Sequence, residues 1–295
     1  MFLSLRPLAV AAPLIAVGPF TPFASAQTAY LPEPGTTTLT PLYSYQRARD
    51  FYVLGDQKRS LPDPLEQHTT RIALERTIAP GWGMEASFGW STVHYQESAT
   101  LTPSLNLLKD GKQTRSGLTD TKVGLRRILL DEFASTSEFT PTLAVRLGGI
   151  LQGTYGTGFV NAPGDGASGA ELGLLAAKSF PLTGTTLFGD ATWRTFAENV
   201  PDAVEISVGL SQQIQRAALT LGFRHQESLD GIDILGHGFA SLASFPDVKE
   251  INTSVELGLS LPVGPVTIGL GFAQTISGEN TPRKSVYAVS SSYGF

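Results

Sequence analysis

Over most of its length the chain alternates apolar and polar residues at every second position. The stretch 82–95, WGMEASFGWSTVHY, sets Trp82, Met84, Ala86, Phe88 and Trp90 against Gly83, Glu85, Ser87, Gly89 and Ser91. Period two marks a strand whose two faces meet different surroundings. The same reading predicts twelve strands: 36–47, 67–79, 82–95, 117–129, 139–152, 169–180, 184–196, 203–214, 217–227, 250–261, 265–276 and a closing one. In the last, Tyr287, Val289, Ser291, Tyr293 and Phe295 share a face. Most of these segments run 10–13 residues. A tilted strand needs about 9–11 to cross a bilayer, whereas strands of soluble domains average about 5–6.

Their connections alternate in length. APG, PLTG, QR and LPVGP are tight turns and LDEFASTSEF is somewhat longer, while 48–66, 96–116, 153–168 and 228–249 are long, with shorter ones near 197–202 and 277–284. Short and long connections alternating along an even number of strands is the topology of outer-membrane barrels, whose short turns are periplasmic. The pattern therefore predicts an all-β, antiparallel, up-and-down transmembrane barrel of about 12 strands, both ends periplasmic, in a Gram-negative outer membrane. A soluble sandwich gives no reason for the alternation.

In such a barrel the apolar face meets lipid and the other face, rich in Gly, Ser and Thr, lines the lumen. Arg71, Glu75, Glu85, Lys122, Arg126, Arg146, Glu171, Asp190, Arg194, Glu205, Arg224 and Glu256 fall on that inner face. These charges fit two readings: a network that cross-links the interior, or the lining of a narrow polar pathway. Arg76 and Arg127 fall on the apolar face, but near strand ends where a long side chain can snorkel. Trp82, Trp193, Tyr287 and Phe295 sit where aromatic girdles belong.

Composition narrows the class. Residues 1–26 carry Arg6, an apolar stretch and Ala24-Ser25-Ala26, the order of a secretory signal peptide, which leaves 27–295 as the barrel. Arg6 is the only charged side chain in that leader, so its loss moves the net charge from −5 to −6. Zero cysteines in an exported chain exclude a small disulfide scaffold. No later window offers the apolar run of a spanning helix, and mild acidity without a basic cluster argues against nucleic acid.

Two resemblances add to this. The final segment, with Tyr287, Val289, Tyr293 and Phe295 in alternation, resembles the C-terminal assembly signal of bacterial outer-membrane barrels. That resemblance implies recognition by the barrel assembly machinery. The stretches SGLTDTKVGLRRILLDE, TPTLAVRLGGILQGTYGTGF and GASGAELGLLAAKSF are similar to the family of meta-pathway phenol-degradation proteins, outer-membrane transporters, over 117–196 above all. The family's proline-threonine-glycine loop is replaced here by LQGTYGTG. The resemblance implies uptake of hydrophobic or aromatic compounds.

Catalysis finds little support. His94 and His225 are predicted at the outer rim, with Ser228 three residues after His225, but no third group completes a triad. No metal or cofactor spacing occurs, and Asp165 stands among glycines without the ligand series of a calcium loop. The long loops LDGIDILGHGFASLASF and ATLTPSLNLL are unusually apolar and are predicted to fold over the mouth. The expected function is passive passage of a small hydrophobic or aromatic solute, with outer-membrane lipids and lipopolysaccharide as surroundings. The alternative is a structural or surface-interaction barrel with a closed lumen.

Overall fold

The computed structural model describes residues 29–53, 57–96, 111–164, 166–234, 238–239 and 244–295. The predicted leader, the apolar loop ATLTPSLNLL and Asp165 lie outside the described residues.

Thirteen strands form one antiparallel sheet. They are β1 (Thr37–Tyr52), β2 (Lys58–Ala79), β3 (Trp82–His94), β4 (Thr114–Leu118), β5 (Thr121–Leu130), β6 (Thr142–Leu151) and β7 (Gly169–Phe180). Then follow β8 (Thr185–Phe196), β9 (Ala203–Ile214), β10 (Ala217–Ser228), β11 (Ile251–Val263), β12 (Val266–Glu279) and β13 (Thr281–Gly294). Neighbours in sequence pair except β4 and β5, which both pair with β3, and β13 closes on β1, Leu39 opposite Tyr293 and Tyr52 opposite Thr281. Thr37 and Phe295 exchange backbone bonds of 2.8 and 2.9 Å at the seam. Closure pairs β13 with β1 and leaves β4, which pairs with β3 alone, as the short exception to a continuous wall.

Strands β4 and β5 are one wall element broken at Thr119–Asp120, because both lie along β3. Trp90–His94 pair with β4 and Trp82–Ser87 with β5. The barrel thus has the twelve wall elements the alternation predicts, and the single strand expected over 117–129 is interrupted.

Other boundaries differ from expectation too: β12 and β13 run into the connection expected near 277–284 and leave Asn280 alone between them. Strands β1 and β2 extend to Tyr52 and back to Lys58, into the connection expected over 48–66. Pairing shifts there from Ala48–Leu65 to Asp50–Ser60, so Leu61–Pro64 bulge opposite the single residue Arg49. Pro62 and Pro64 lack the N–H a regular ladder needs, which hides the strand from a period-two reading. The bulge turns Leu61 inward, where it is buried.

The outer surface is apolar. Met84, Trp90, Leu147, Leu174, Val208 and Leu270 are each 50–59% exposed. So large a continuous apolar surface belongs against lipid, not water. Arg127 stands at its short-turn rim, 4.9 Å over the Trp82 ring and donating to the Pro80 carbonyl at 3.2 Å. Arg76, also at that rim, donates to Thr37 Oγ1 at 3.4 Å. Both guanidiniums are partnered where the apolar belt ends. We call the short-turn end inner and the long-loop end outer.

Candidate functional site: the lumen

The inward residues form three tiers. In the middle lie charged side chains, several of them laid over glycines of the neighbouring strand. Register sets Glu85 beside Gly124, Arg146 beside Gly173, Glu171 beside Gly148 and Glu256 beside Gly222. A Cβ on Gly124 would come within 2.7 Å of Glu85 Oε1, and one on Gly148 within 2.8 Å of Glu171 Cγ. The glycines therefore let long side chains lie across the wall to reach the next strand but one.

The ion pairs follow from that reach. Glu75 stands directly opposite Glu85, and Arg126 opposite Arg146, so neighbours repel. Each arginine answers by crossing a strand: Arg126 pairs with Glu75, and Arg146 Nε lies 3.7 Å from Glu85. Arg146 also approaches Glu171 at 3.3 Å and donates to Thr192 Oγ1 at 3.1 Å. Lys122 reaches Glu171 at 3.4 Å, and Arg194 spans Glu171 and Glu205 at 3.4 and 3.3 Å. Arg224 continues the chain to Glu205 and Glu256 at 3.0 and 2.8 Å. Asp190 accepts a hydrogen bond from the Ser207 hydroxyl instead. These contacts link eight of the twelve predicted lumen charges in one belt, pair Arg126 with Glu75, and set Asp190 against a hydroxyl. The twelfth, Arg71, stands apart. Removing one partner of a buried pair costs about 3–5 kcal/mol, and Arg146, 1% exposed, is the hub.

The outer tier is an apolar lid. Ile234, Phe239, Phe245 and Val248, from the β10–β11 connection, pack with Phe51, Val53, Leu61 and Tyr95. A polar knot ties the connection down. Asn280, in a left-handed conformation at φ 52°, is the one-residue link between β12 and β13. Its Nδ2 donates to Asp233 at 3.0 Å and its Oδ1 accepts the Ile234 N–H at 3.2 Å. Lys249 bridges Asp233 and Glu279 at 3.1 and 3.0 Å, and Thr281 donates to Glu250. Burial alone would raise the Asp233 carboxyl, but bonds from Asn280 and Lys249 outweigh it and hold it below its ordinary range. Bonds to Glu279 and Asp233 hold the Lys249 ammonium above its ordinary range. Gly231, at φ 112°, turns where a Cβ would press the Lys249 backbone at 2.7 Å. Between lid and belt lies a cavity of about 60 Å³ bounded by Arg194, Val200, Gln226, Pro246, Val248 and Glu250.

The inner tier was not visible in the sequence. Ala29, Tyr30 and Leu31 run into the inner end of the lumen as a strap. Ala29 and Tyr30 bury against the inward residues Ala144, Leu175, Ala177 and Phe188, and Leu31 fills the space a Cβ on Gly83 would enter, 2.6 Å away. Tyr30 donates to Glu132 Oε1 at 2.6 Å and packs on Phe133, ring centroids 5.6 Å apart. Burial, then the bond to Glu132 and its charge, raise the Tyr30 phenol above its ordinary value, so it keeps its proton. Glu132 is further held by Lys178 at 3.1 Å and the Ser179 N–H at 3.2 Å. Gly83 leaves the room Leu31 fills, but it is one of several inward glycines and its type alone does not single it out.

His225 bonds a threonine hydroxyl rather than Ser228 among the described residues. His94 and His225 bond Thr114 and Thr253 through Nδ1, both at 2.9 Å, while the Ser228 hydroxyl accepts the Glu250 N–H. Tyr287, Val289, Tyr293 and Phe295 all face outward, exposed, along β13.

No family model matches the chain, and no curated protein matches it by sequence. Solved structures do match in fold. A COG4313 outer membrane channel from Pseudomonas putida F1 superposes with a TM-score of 0.69 at 12% identity, over 90% of this chain and 97% of that one. The Pseudomonas putida toluene transporter TodX gives 0.43 at 12%, over 91% of each chain. The KdgM porin gives 0.44 at 9%, over 87% and 99%. The chain has the fold of an outer-membrane β-barrel.

Proposed function

We propose that the chain is a bacterial outer-membrane channel for passive passage of small solutes, those with an apolar or aromatic body among them, and that it carries no catalytic chemistry. The cavity between lid and belt carries the reading. Val200, Pro246 and Val248 line it together with Arg194, Gln226 and Glu250, a mixed lining that suits a small solute carrying a polar group. The lumen is obstructed by a lid and a strap, segments that can move without breaking a wall pair. Sharing a fold with a solved outer membrane channel supports the reading, as does the resemblance of 117–196 to the meta-pathway transporter family. Tyr287, Val289, Tyr293 and Phe295 are the proposed assembly signal.

The density of ion pairs around Arg146 favours a second reading, a closed structural barrel. Single-channel recording in planar bilayers separates the two. Conductance that rises when the 229–250 connection is shortened supports the channel. Silence in both proteins, with no uptake defect in a deletion strain, establishes the closed barrel.

A further inference from the structure

The outer rim is charged unevenly. In a chain of net charge −5, the outer ends of β1, β2 and β13 (47–52, 58–66 and 281–285) hold six cations and three acids. The stretches 196–203 and 227–233, at the outer ends of β8, β9 and β10, hold five acids and no cation. Positive charge therefore gathers on one side of the rim.

Two of its arginines point outward, to the lipid side. Parity along β1 turns Arg47 the same way as the exposed Tyr43, and parity along β13 turns Arg283 the same way as the exposed Tyr287. Register sets Tyr45 beside Tyr287, Arg47 beside Ser285 and Asp50 beside Arg283. The two arginines are thus diagonal neighbours, one step outward of a pair of tyrosines and within reach of one small group. Arg49, the exposed extra residue of the β1 bulge, falls between them in register.

Acids aim the guanidiniums without enclosing them. Arg47 Nε approaches Glu66 Oε1 at 3.3 Å, and that oxygen also accepts the Tyr45 hydroxyl at 2.8 Å. Arg283 Nη1 approaches Asp50 Oδ2 at 3.5 Å, while Ser60 donates to Asp50 Oδ1 at 3.1 Å. Both arginine side chains stay about two-fifths exposed, at 40% and 41%, and each fork has further N–H donors beyond that contact. Just below, Tyr45 packs on His68 with ring centroids 5.0 Å apart, and Tyr43 bonds His68 Nδ1 at 2.7 Å. Outward along this seam the wall runs from apolar side chains through fixed rings to arginines.

We propose that Arg47 and Arg283 bind a phosphate of lipopolysaccharide in the outer leaflet, its phosphorylated sugar lying against Tyr45 and Tyr287 and its acyl chains on the apolar wall below. Arginine forks suit phosphate oxygens, and rings with a polar tip suit the level where acyl chains end. The long-loop end of a barrel faces the outside, so this rim meets the sugar-bearing leaflet. The site needs only the outer-membrane location and stands whichever reading of the lumen holds.

The test adds lipid A carrying both phosphates, in mixed micelles, to the full mature chain purified in detergent and freed of lipid, and follows the temperature at which the unboiled gel form is lost. That midpoint is expected to rise and saturate. The double variant Arg47→Gln, Arg283→Gln is expected to need about tenfold more lipid A for half the rise, the loss of charged hydrogen-bonded contacts. Arg283→Gln alone, which leaves the Glu66 contacts in place, should shift the curve less and serves if the double variant does not fold. Arg76→Gln at the inner rim should bind as wild type does, and lipid A without phosphates should raise nothing. Binding equal to wild type in both outer-rim variants overturns the site. So does an equal, arginine-dependent rise with phosphatidylglycerol or inorganic phosphate, which would make the patch a general anion site.

Discussion

Tyr30 is where the state of the lumen is most cheaply changed. Tyr30→Phe removes one hydroxyl and its 2.6 Å bond to Glu132, keeping the ring against Phe133. A hydrogen bond to a charged group is worth about 1.5–3 kcal/mol, which is roughly a tenfold to hundredfold change in an equilibrium. Glu132 is not orphaned by the change, because Lys178 and the Ser179 N–H still hold it. The wall is not touched either, since Ala29–Leu31 belong to no strand. The loss should therefore fall on the strap's closed population and leave barrel stability alone. If the strap is an inner gate, open probability in planar bilayers should rise by about that factor. Tyr30→Ala, which also forfeits the burial against Leu175 and Phe188, should raise it further. Unboiled and boiled samples should migrate on gels as they do for wild type. Unchanged open probability in both variants, with migration intact, would refute the gate and leave the strap as mere filling.

Removing Phe295 deletes one exposed aromatic and the seam bonds to Thr37; the expected result is a sharp fall of folded protein in the outer membrane of cells, and wild-type levels there would dismiss the assembly signal. The lid should hold over a broad pH window. Asp233 is depressed below 3.8, so its contribution is complete above that value and lost as pH falls through the lower folded pKa. Lys249 is raised above 10.5, so its contribution is complete below that value and lost as pH rises through the higher one. Conductance should be flat between those limits and climb beyond them, and Lys249→Met, which leaves Asp233 and Glu279 facing each other, should raise it at neutral pH; a titration midpoint near neutrality would contradict the account.

The barrel was legible because lipid outside and water inside impose opposite demands on alternate residues. β3 shows this: Met84, Phe88 and Trp90 exposed outward, Glu85 and Ser87 buried inward. Where another demand overrode the alternation, the reading failed. Pro62 and Pro64 removed ladder donors and hid the outer half of β2. At Thr119–Asp120 the residue types fit a strand, yet Asp120 is drawn to Gly153 and Tyr155 of the β6–β7 connection, and pairing stops. The strap, three residues that pair with no strand, is too short to show a period.

The inner face raises a subtler point. That Glu85 and Arg146 point inward follows from parity alone, but which acid meets which base does not, since Arg146 passes over β5 to reach β3. What the sequence does hold is the pairing of charge with glycine: Gly124, Gly173, Gly148 and Gly222 stand where register puts them beside Glu85, Arg146, Glu171 and Glu256. Once register is known, an inward charge beside a glycine marks room for a long side chain to lie along the wall, as Glu85 and Glu171 do over Gly124 and Gly148.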